Sequence, residues 1–298
     1  METTLIAGSN GIIGSQLFSY LNIDNNVFGI GYEDVSQKNY SQLDLTDKKK
    51  VSDFIKNNER FSTLVFLTGL AHAKGKGAEY NKFYTVNVQT LMNLLGEMKN
   101  QNKLPGKIIF SSTVSTYGER YKQAEYHEDS ELNPKSPYAI TKLEAENYLL
   151  ENFKELSWIL RFAPVYTPEF LLNISRRTIF KNRFFRVGDG NNKLSLLSIK
   201  NIEKVIESII DNKVPAGLYN VCDEKEYTFN DLLKFSAAKS IMYIPKYFIK
   251  SIYYINKILK NTFINENSIK LLTDNLYPST KLQKFIKLDN SLWDMKKL

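Results

Sequence analysis

The stretch Thr3-Thr4-Leu5-Ile6-Ala7-Gly8-Ser9-Asn10-Gly11-Ile12-Ile13-Gly14 decides the fold that this sequence predicts. Five apolar or β-branched residues form a short strand candidate, and three glycines spaced three apart follow it directly. Glycines at this spacing permit a tight turn into a helix, and they let the backbone approach a bound group closely. The N–H groups at the start of that helix would attract a pyrophosphate. The stretch therefore predicts a strand–turn–helix unit that binds a dinucleotide.

Short apolar runs alternate with helical stretches through the first half of the chain, which is typical of parallel strands joined by crossover helices. We therefore predict an α/β fold with a doubly wound parallel sheet and a smaller C-terminal substrate domain. The predicted strands are Thr3–Ala7, Asn26–Gly31, Thr63–Leu67, Lys107–Ser111 and Ser157–Arg161. The predicted helices are Gly11–Leu21, Asp47–Lys56, Glu79–Lys99 and Tyr138–Phe153.

The chain is long enough for two interleaved domains. We expect residues 1–163 to form the dinucleotide-binding domain, with residues 197–222 returning to it. Residues 164–196 and 223–298 are less regular, and we assign them to the smaller domain. Within them, residues 244–260 combine apolar and aromatic side chains with lysines. Such a segment could lie on a membrane surface, but a helix that covers the smaller domain is the favoured interpretation.

The composition is that of a folded protein. Of the 298 residues, 43% are hydrophobic and 24% are charged, which argues against disorder. No apolar run reaches the ~18–20 residues of a membrane span, and Met1–Thr4 lacks the basic start of a signal peptide. Cys222 is the only cysteine, so an intrachain disulfide cannot form. We expect a cytoplasmic protein.

The charge is unevenly distributed along the chain. Residues 1–150 carry 16 basic and 17 acidic side chains, whereas residues 151–298 carry 24 and 15. A basic second half suits an anionic substrate, nucleic acid or an anionic membrane surface, and a scattered lysine surface would give the same count. The sequence has no zinc-ligand spacing and no RNA-binding signature, so we expect neither a metal nor nucleic acid.

Tyr138-Ala139-Ile140-Thr141-Lys142 puts a phenol and an ammonium at positions i and i+4, which share one face of a helix. A free phenol has a pKa near ~10, and a nearby ammonium favours its ionised form. Tyr138 could then remove a proton from a hydroxyl group while hydride leaves the same carbon. Thr113, at the end of an apolar run, would hold the reacting oxygen by a hydrogen bond.

The end of the second predicted strand leaves the type of dinucleotide open. Gly31 or Tyr32 occupies the place where many NAD-binding folds have an acidic residue, and Glu33 and Asp34 follow one or two residues late. No arginine follows that could bind a 2′-phosphate, and Lys38 is the nearest cation. Both NAD and NADP therefore remain candidates for the cofactor.

Taken together, these motifs resemble the extended short-chain dehydrogenases/reductases, in the NAD-dependent epimerase/dehydratase group that acts on nucleotide sugars. Further segments that stand in the family's order are Asp44-Leu45, Leu67-Thr68-Gly69-Leu70-Ala71, Asn87-Val88, Ser111-Ser112-Thr113, Pro134-Lys135-Ser136-Pro137-Tyr138, Leu160-Arg161 and Gly188-Asp189-Gly190. The resemblance implies a nucleotide-diphosphate sugar as the substrate and a homodimer as the assembly.

The resemblance also implies roles for individual residues. Thr113, Tyr138 and Lys142 would be catalytic. The residues implied at the cofactor are Gly8, Asn10, Gly11, Ile12, Ile13, Gly14, Asp44, Leu45, Leu67, Thr68, Gly69, Ala71, Asn87, Ser111, Tyr138, Lys142, Pro164 and Val165. The residues implied at the substrate are Tyr117, Arg176, Arg177 and Lys193. Asp44 could contact the adenine, and Asp47 is the better candidate for a helix cap.

Departures from the family's patterns narrow the reaction. The 4,6-dehydratases carry Asp-Glu after the catalytic threonine, where this chain has Val114-Ser115, so dehydration is disfavoured. Cys222, His72 and His127 do not fall where the 3,5-epimerase/4-reductases hold their acid and base, and we expect His127 to be exposed.

Typical UDP-glucose 4-epimerases have Asn where this chain has Ala163-Pro164. Arg161–Tyr166 and Asn192–Leu196 look closer to the 4-ketoreductases of N-acetylated deoxysugars. The resemblance thus implies chemistry at C4 of a UDP-hexose or N-acetylhexosamine derivative, by a 4-epimerase or a 4-ketoreductase, for cell-surface polysaccharide precursors.

Two further expectations concern turnover and assembly. A non-catalytic dinucleotide-binding sensor or scaffold of the same fold is the alternative function, but it would be expected to lack the Tyr–Lys pair. The homodimer would be built on helices 79–100 and 138–153, because both carry more apolar residues than one sheet face needs. These surplus residues are Leu91, Leu94, Leu95, Leu149 and Leu150.

Overall fold

A computed structural model describes residues 3–22, 26–71 and 80–297. The strands of the described residues are β1 Thr4–Ala7, β2 Val27–Gly31, β3 Tyr40–Gln42, β4 Thr63–Phe66, β5 Lys107–Thr113, β6 Ser157–Phe162, β7 Val165–Tyr166, β8 Ile179–Phe180, β9 Arg183–Val187, β10 Lys193–Leu194, β11 Leu197–Ser198, β12 Gly217–Val221, β13 Tyr227–Thr228 and β14 Ile241–Ile244. The helices are α1 Ile12–Leu21, α2 Lys48–Asn57, α3 Tyr80–Tyr84, α4 Thr90–Asn100, α5 Pro137–Asn152, α6 Leu172–Thr178, α7 Ile199–Ile210, α8 Phe229–Phe235, α9 Lys246–Leu259 and α10 Thr262–Leu272.

Seven strands form the main sheet, in the order β12-β6-β5-β4-β1-β2-β3. The sheet is parallel and flanked by helices, which confirms the predicted doubly wound α/β fold. β12, at one edge, is the strand Gly217–Val221. The sequence analysis did not identify β3, which extends the other edge by three residues.

The strand order reverses at β1, which pairs with β2 on one side and β4 on the other. In such sheets a ligand crevice opens at the carboxyl ends of the strands where the order reverses. The loops after β1 and β4 meet there, because a Cβ atom added to Gly8 would lie 2.9 Å from the Thr68 nitrogen. The glycine turn therefore lies at the edge of the sheet where open α/β folds bind their ligands.

The central strands are buried on both faces, as near-continuous apolar runs predict. β1 and β4 are buried at every position. Four of the leucines that suggested a dimer surface also lie in this core, fully buried: Leu91, Leu94, Leu95 and Leu149. Only Leu150 among those five is exposed. The homodimer itself stays a prediction, and four of the five leucines now lend it no support.

The long helix predicted over Glu79–Lys99 is interrupted. It consists of α3, a π-helical turn at Thr85–Gln89, and α4. Glu79 lies outside the described residues. Single π turns inside helices occur frequently at functional sites, because the extra residue redirects a side chain. Here the turn contains Asn87, one of the residues implied at the cofactor.

The chain divides into two compact units. The first comprises Met1–Thr116, Ser136–Arg161 and Glu203–Tyr219; the second comprises Tyr117–Lys135, Phe162–Ile202 and Asn220–Leu298. Residues 117–135, predicted to belong to the dinucleotide-binding domain, group with the second unit, where Tyr117 and Tyr126 stack on Tyr277. That the second unit binds the substrate stays a prediction.

A buried carboxylate organises part of the second unit. Asp223 accepts hydrogen bonds from the Tyr166 hydroxyl at 2.6 Å, the Tyr227 hydroxyl at 2.9 Å, the Ser198 N–H at 2.7 Å and the Asn201 amide at 2.8 Å. Burial raises the pKa of Asp223 to about 6, although the hydrogen bonds from these donors lower it. The network joins β7, β11, α7 and β13.

The helix predicted at residues 244–260 is α9, but its surroundings differ from the favoured interpretation. Its buried residues are Ile249 and Asn256, so most of its apolar side chains do not cover the unit's interior. None of the described helices is long and apolar enough to cross a membrane.

Candidate active site

Thr113 and Tyr138 meet in the first unit. Thr113 is the last residue of β5, and Tyr138 lies in the first turn of α5. That helix starts where the sequence dictates, because the Ser136 hydroxyl accepts from the Ala139 N–H at 3.3 Å and Pro137 suits the first helical position. Burial raises the pKa of the Tyr138 phenol, and a hydrogen bond with the Thr113 side chain partly offsets it. The hydroxyl groups of Thr113 and Tyr138 thus lie within hydrogen-bonding distance of each other.

Lys142 lies one turn further along α5 and is 3% exposed. Its ammonium donates to the Ser111 carbonyl oxygen at 2.7 Å and lies 4.7 Å from the centre of the Phe110 ring. Burial lowers the pKa of Lys142 to about 7, and the Glu146 carboxylate raises it part of the way back. A Cβ atom at Gly69 would lie 3.1 Å from the Lys142 nitrogen, so only glycine leaves that approach open without a shift.

A second charge pair lies beneath Lys142, and the sequence analysis missed it. Glu146 is fully buried, and it pairs with Arg161 of β6 at 2.7 Å between Nη2 and Oε2. The Ser112 hydroxyl also donates to Glu146. Lys142 and Glu146 are separated by four residues, so their positions on one helix face were available as a signal. The Glu146 carboxylate therefore interacts with two basic side chains inside the unit, Lys142 and Arg161.

Asn87 connects the loop after β4 to α5. Its Oδ1 accepts from the Leu70 N–H at 2.7 Å, and its Nδ2 donates to the Thr141 hydroxyl at 3.0 Å. Asn87 is completely buried. The segment Leu67–Ala71, implied at the cofactor, is therefore held in place by a side chain that the π turn points inward.

The glycine turn suits the pyrophosphate of a dinucleotide. Gly8 has a φ of +86°, and a Cβ atom at Gly14 would lie 2.0 Å from the Gly8 carbonyl oxygen. Gly11 is the N-cap of α1, and no side chain of the described residues caps that helix start. The first turn, which includes Ile12 and Ile13, holds no acidic residue. Its N–H groups and positive dipole end are thus available to an anion.

Glu33 lies beside this turn, although it comes late in the sequence. The Asn10 amide nitrogen lies 3.5 Å from the Glu33 carboxylate, and Tyr40 donates a hydrogen bond to the Glu33 carbonyl. The Glu33 side chain is exposed at the end of β2. A Cβ atom at Gly31 would lie 2.3 Å from Asn10 Oδ1, so the absence of a side chain there makes room for Asn10.

Asp44 and Leu45 lie in the loop after β3. Asp44 accepts from the Thr46 hydroxyl at 2.7 Å and from the Thr46 N–H at 2.9 Å, and these bonds lower the pKa of Asp44. The Leu45 carbonyl accepts from Asn93 at 2.9 Å. Asp47 caps α2, as predicted. A contact of Asp44 with adenine stays a prediction.

The second unit holds the remaining residues implied at the cofactor and the substrate. Pro164 and Val165 follow β6, and Val165 pairs with Leu197 in a parallel two-stranded sheet. Tyr117 is 1% exposed, and its hydroxyl donates to Asn220 at 2.6 Å, so this hydroxyl already has a partner inside the unit.

The three basic residues implied at the substrate have different surroundings. Arg176 is exposed, whereas Arg177 is half-buried and donates to the Asn173 carbonyl at 2.7 Å. Lys193 forms an exposed ion pair with Glu226 at 2.7 Å. Their contacts with a substrate stay predictions.

The structure describes three of the residues that bear on other reactions: Cys222, His127 and Val114. Cys222 is buried, and burial raises the pKa of its thiol to about 11. His127 is exposed and pairs with Glu125, as expected. Val114 is buried directly after Thr113 and cannot transfer protons. His72 lies outside the described residues.

Known proteins are similar to this chain in sequence and in fold. The model of the NAD dependent epimerase/dehydratase family matches residues 4–222, from β1 through the final strand of the main sheet. The chain belongs to the NAD dependent epimerase/dehydratase family. The resemblance noted from the sequence motifs is thereby confirmed.

Individual relatives of the family carry the same fold. An uncharacterised UDP-glucose epimerase of Bacillus subtilis (strain 168), YtcB, is 28% identical over 231 residues, covering 69% of this chain and 72% of the relative. The UDP-Glc/GlcNAc 4-epimerase from Campylobacter jejuni has a TM-score of 0.76 at 18% identity, covering 100% and 97% of the two chains. The UDP-glucuronic acid 4-epimerase from Bacillus cereus, in complex with NAD, has a TM-score of 0.69 at 20% identity, covering 98% and 95%.

The depressed pKa of Lys142 predicts a pH-dependent stability for this family member. The unfolded chain binds a proton at Lys142 up to about pH 10, but the folded protein releases it near pH 7. Stability should therefore rise with pH between about 7 and 10, by up to ~1.4 kcal/mol per pH unit, and level off below about pH 7, where both states bind the proton. Lys142→Met should remove this rise. Denaturant unfolding without dinucleotide, from pH 6 to pH 9, measures it.

Lys49→Met, which changes an exposed lysine of α2, is the matched control and should leave the pH dependence unchanged. Parallel stability curves for the wild type and Lys142→Met would show that the ammonium remains charged when buried, contrary to the prediction.

Proposed function

We propose that this protein is an NAD-dependent enzyme that acts at C4 of a UDP-hexose or of its N-acetyl derivative. The observation that carries the proposal is the hydrogen-bonded Thr113–Tyr138 pair, with the buried ammonium of Lys142 one helical turn away. The names of the relatives, a UDP-glucose epimerase and a UDP-Glc/GlcNAc 4-epimerase among them, support the substrate class.

In the proposed mechanism the Thr113 hydroxyl holds the C4 oxygen by a hydrogen bond, and Tyr138 removes the proton from that oxygen. Bound NAD would supply the acceptor for the hydride that leaves C4. Since burial raises the pKa of Tyr138, its ionised form needs positive charge nearby. Lys142, fixed by the Ser111 carbonyl, provides that charge in its protonated state. In the reverse direction Tyr138 returns the proton.

Two reactions use this proton and hydride transfer: an epimerase runs it in both directions, whereas a ketoreductase runs only the reverse, from a 4-keto sugar to the C4 alcohol. A 4-epimerase would retain its dinucleotide and return hydride to the opposite face of C4, whereas a 4-ketoreductase would consume reduced dinucleotide. Dehydration is not proposed, because Val114 and Ser115 offer no acid–base pair after Thr113. Synthesis of cell-surface polysaccharide precursors is the proposed setting.

The neighbourhood of the glycine turn supports NAD rather than NADP. A carboxylate at the end of β2 suits the two hydroxyl groups of the adenosine ribose and repels a 2′-phosphate. Glu33 provides one within 3.5 Å of Asn10. The UDP-glucuronic acid 4-epimerase from Bacillus cereus was solved in complex with NAD.

A sensor or scaffold without turnover is the alternative function. The intact Thr113–Tyr138 pair and the buried Lys142 argue against it, because burying an ammonium costs stability and a scaffold would gain nothing from it. A homodimer is proposed from the family resemblance alone.

Tyr138→Phe should reduce turnover by about a hundredfold or more, because it removes the oxygen that exchanges the proton. Dinucleotide binding should persist, since no charge is lost. Steady-state kinetics and calorimetric titration with NAD measure the two effects. Tyr148→Phe removes a hydroxyl from the same helix and should leave turnover unchanged. Turnover in Tyr138→Phe close to that of the wild type would exclude the acid–base role.

Glu33→Ala should weaken NAD binding by about tenfold and narrow the preference for NAD over NADP. Asp34→Ala, the neighbouring exposed acid, serves as the control and should change neither value. Dissociation constants for both dinucleotides test this. If the wild-type protein bound NADP at least as tightly as NAD, the proposed role of Glu33 would be wrong.

A panel of nucleotide sugars separates the two reactions. Interconversion of two UDP-hexoses, without net loss of absorbance from reduced nicotinamide, is expected of an epimerase. Stoichiometric loss of that absorbance with a 4-keto-6-deoxy UDP-sugar is expected of a ketoreductase. If neither occurs across UDP-, GDP- and dTDP-sugars while NAD still binds, the substrate class is wrong although the dinucleotide site is retained.

A further inference from the structure

Helix α9 buries only a narrow strip of its surface. Ile249 and Asn256 are its buried residues, and Ile249 packs with Phe185 and Val187 of β9. Ile252 contributes partly to the same cluster. The rest of the helix faces away from this cluster. All of these contacts lie within the second unit.

The side of α9 away from this strip is apolar. At 100° per residue its exposed apolar residues span an arc of about 140°. They are Tyr247, Phe248, Tyr254, Ile255, Ile258 and Leu259, which we call the α9 arc. Ile258 is 84% exposed and Tyr247 is 72% exposed. Ser251 lies within the arc, and its hydroxyl donates to the Tyr247 carbonyl at 3.0 Å, so it adds little unpaired polarity.

Positive charge borders the α9 arc. Lys246, Lys250 and Lys257 fall within about 40° of one another along one edge of the helix. Residues 232–265 contain six lysines and no aspartate or glutamate. Lys257 lies over the Tyr254 ring, 5.1 Å from its centre. Lys246 pairs with Asp189 at 3.3 Å, so the exposed Lys250 and Lys257 supply the positive charge beside the apolar ridge.

This combination of features distinguishes between possible partners. A second copy packed antiparallel on the same face would bring two lysine bands together, which like charges oppose. Nucleic acid needs cations on the contact face itself, whereas here aliphatic Ile255, Ile258 and Leu259 occupy it. A bilayer with anionic headgroups accommodates both features, since apolar side chains enter the acyl boundary and bordering lysines reach the headgroups.

We propose that the α9 arc lies in the interfacial region of an anionic lipid bilayer, with α9 parallel to the membrane plane. Lys250 and Lys257 face the headgroups, and the apolar residues of the arc enter the acyl boundary. The exposed side chain of Phe263, at the start of α10, extends the apolar contact. The attachment is peripheral and depends on ionic strength, because part of it is electrostatic.

The test is co-sedimentation of the full chain with vesicles. We expect binding to vesicles of equal parts phosphatidylglycerol and phosphatidylcholine, at least about tenfold tighter than to phosphatidylcholine alone. The double variant Ile255→Asp, Ile258→Asp should lose at least about tenfold in binding. Lys250→Glu with Lys257→Glu should lose a similar factor. Lys48→Glu with Lys49→Glu makes the same charge change on α2 and should bind as the wild type does.

Thermal unfolding of each variant verifies that it remains folded, since every changed side chain is exposed. Several results would overturn the proposal. Absence of binding to anionic vesicles would do so, as would binding that the two aspartates leave intact. Self-association that Ile258→Asp abolishes would assign the arc to a second copy. An oligonucleotide could also be added at the same total negative charge as the vesicles. If it removed the protein from the vesicles, the α9 arc would be assigned to nucleic acid.

Discussion

The backbones of Gly8 and Thr68 approach each other so closely that no side chain fits between them. This contact joins the loops after β1 and β4, the two strands at which the order of the sheet reverses. Gly14 must also lack a side chain, because α1 packs there against the Gly8 carbonyl oxygen. The start of α1 is consequently held at the carboxyl edge of the sheet, where its N–H groups can bind an anion. The candidate site of the first unit depends on this approach.

The second constraint on that site is the burial of three ionisable side chains. Lys142, Glu146 and Arg161 are each at most 3% exposed, so each charge needs a partner within the unit. Glu146 receives hydrogen bonds from Arg161 and Ser112, which leaves Lys142 with a carbonyl oxygen and a ring face as its direct contacts. The low pKa of Lys142 follows from this arrangement. A proton on Lys142 is therefore held loosely, which suits a group that must respond to charge on Tyr138.

The second unit satisfies its own polar groups differently. Asp223 is surrounded by four donors from four elements, and Tyr117 donates to Asn220. These networks pair the buried hydroxyl and carboxyl groups with one another, whereas Lys250 and Lys257 of α9 are exposed. The apolar side chains of α9 project outward beside them. A contiguous exposed apolar surface usually marks an interaction site.

The sequence by itself determined the features that depend on local spacing. Alternating strand and helix patterns fix parallel topology, three glycines fix the turn, and the separation of Tyr138 from Lys142 by four residues fixes their common face. The family of the chain followed from these same patterns. Three helices begin directly after a residue whose side chain caps them: Ser136, Asp47 and Thr228. Such starts can be read from the sequence, because a cap acts over three residues.

The tertiary structure alone decided which groups meet across elements. Glu146 and Arg161 lie on a helix and a strand, and no periodicity pairs them. Glu33 reaches Asn10 only because β2 lies beside β1. Leu91 and Leu149 look like surplus surface residues in the sequence but fill the core. The α9 arc looks like core but faces outward. The physical reason is common to all four cases: periodicity fixes which residues share a face, whereas what covers that face depends on the packing of the whole chain.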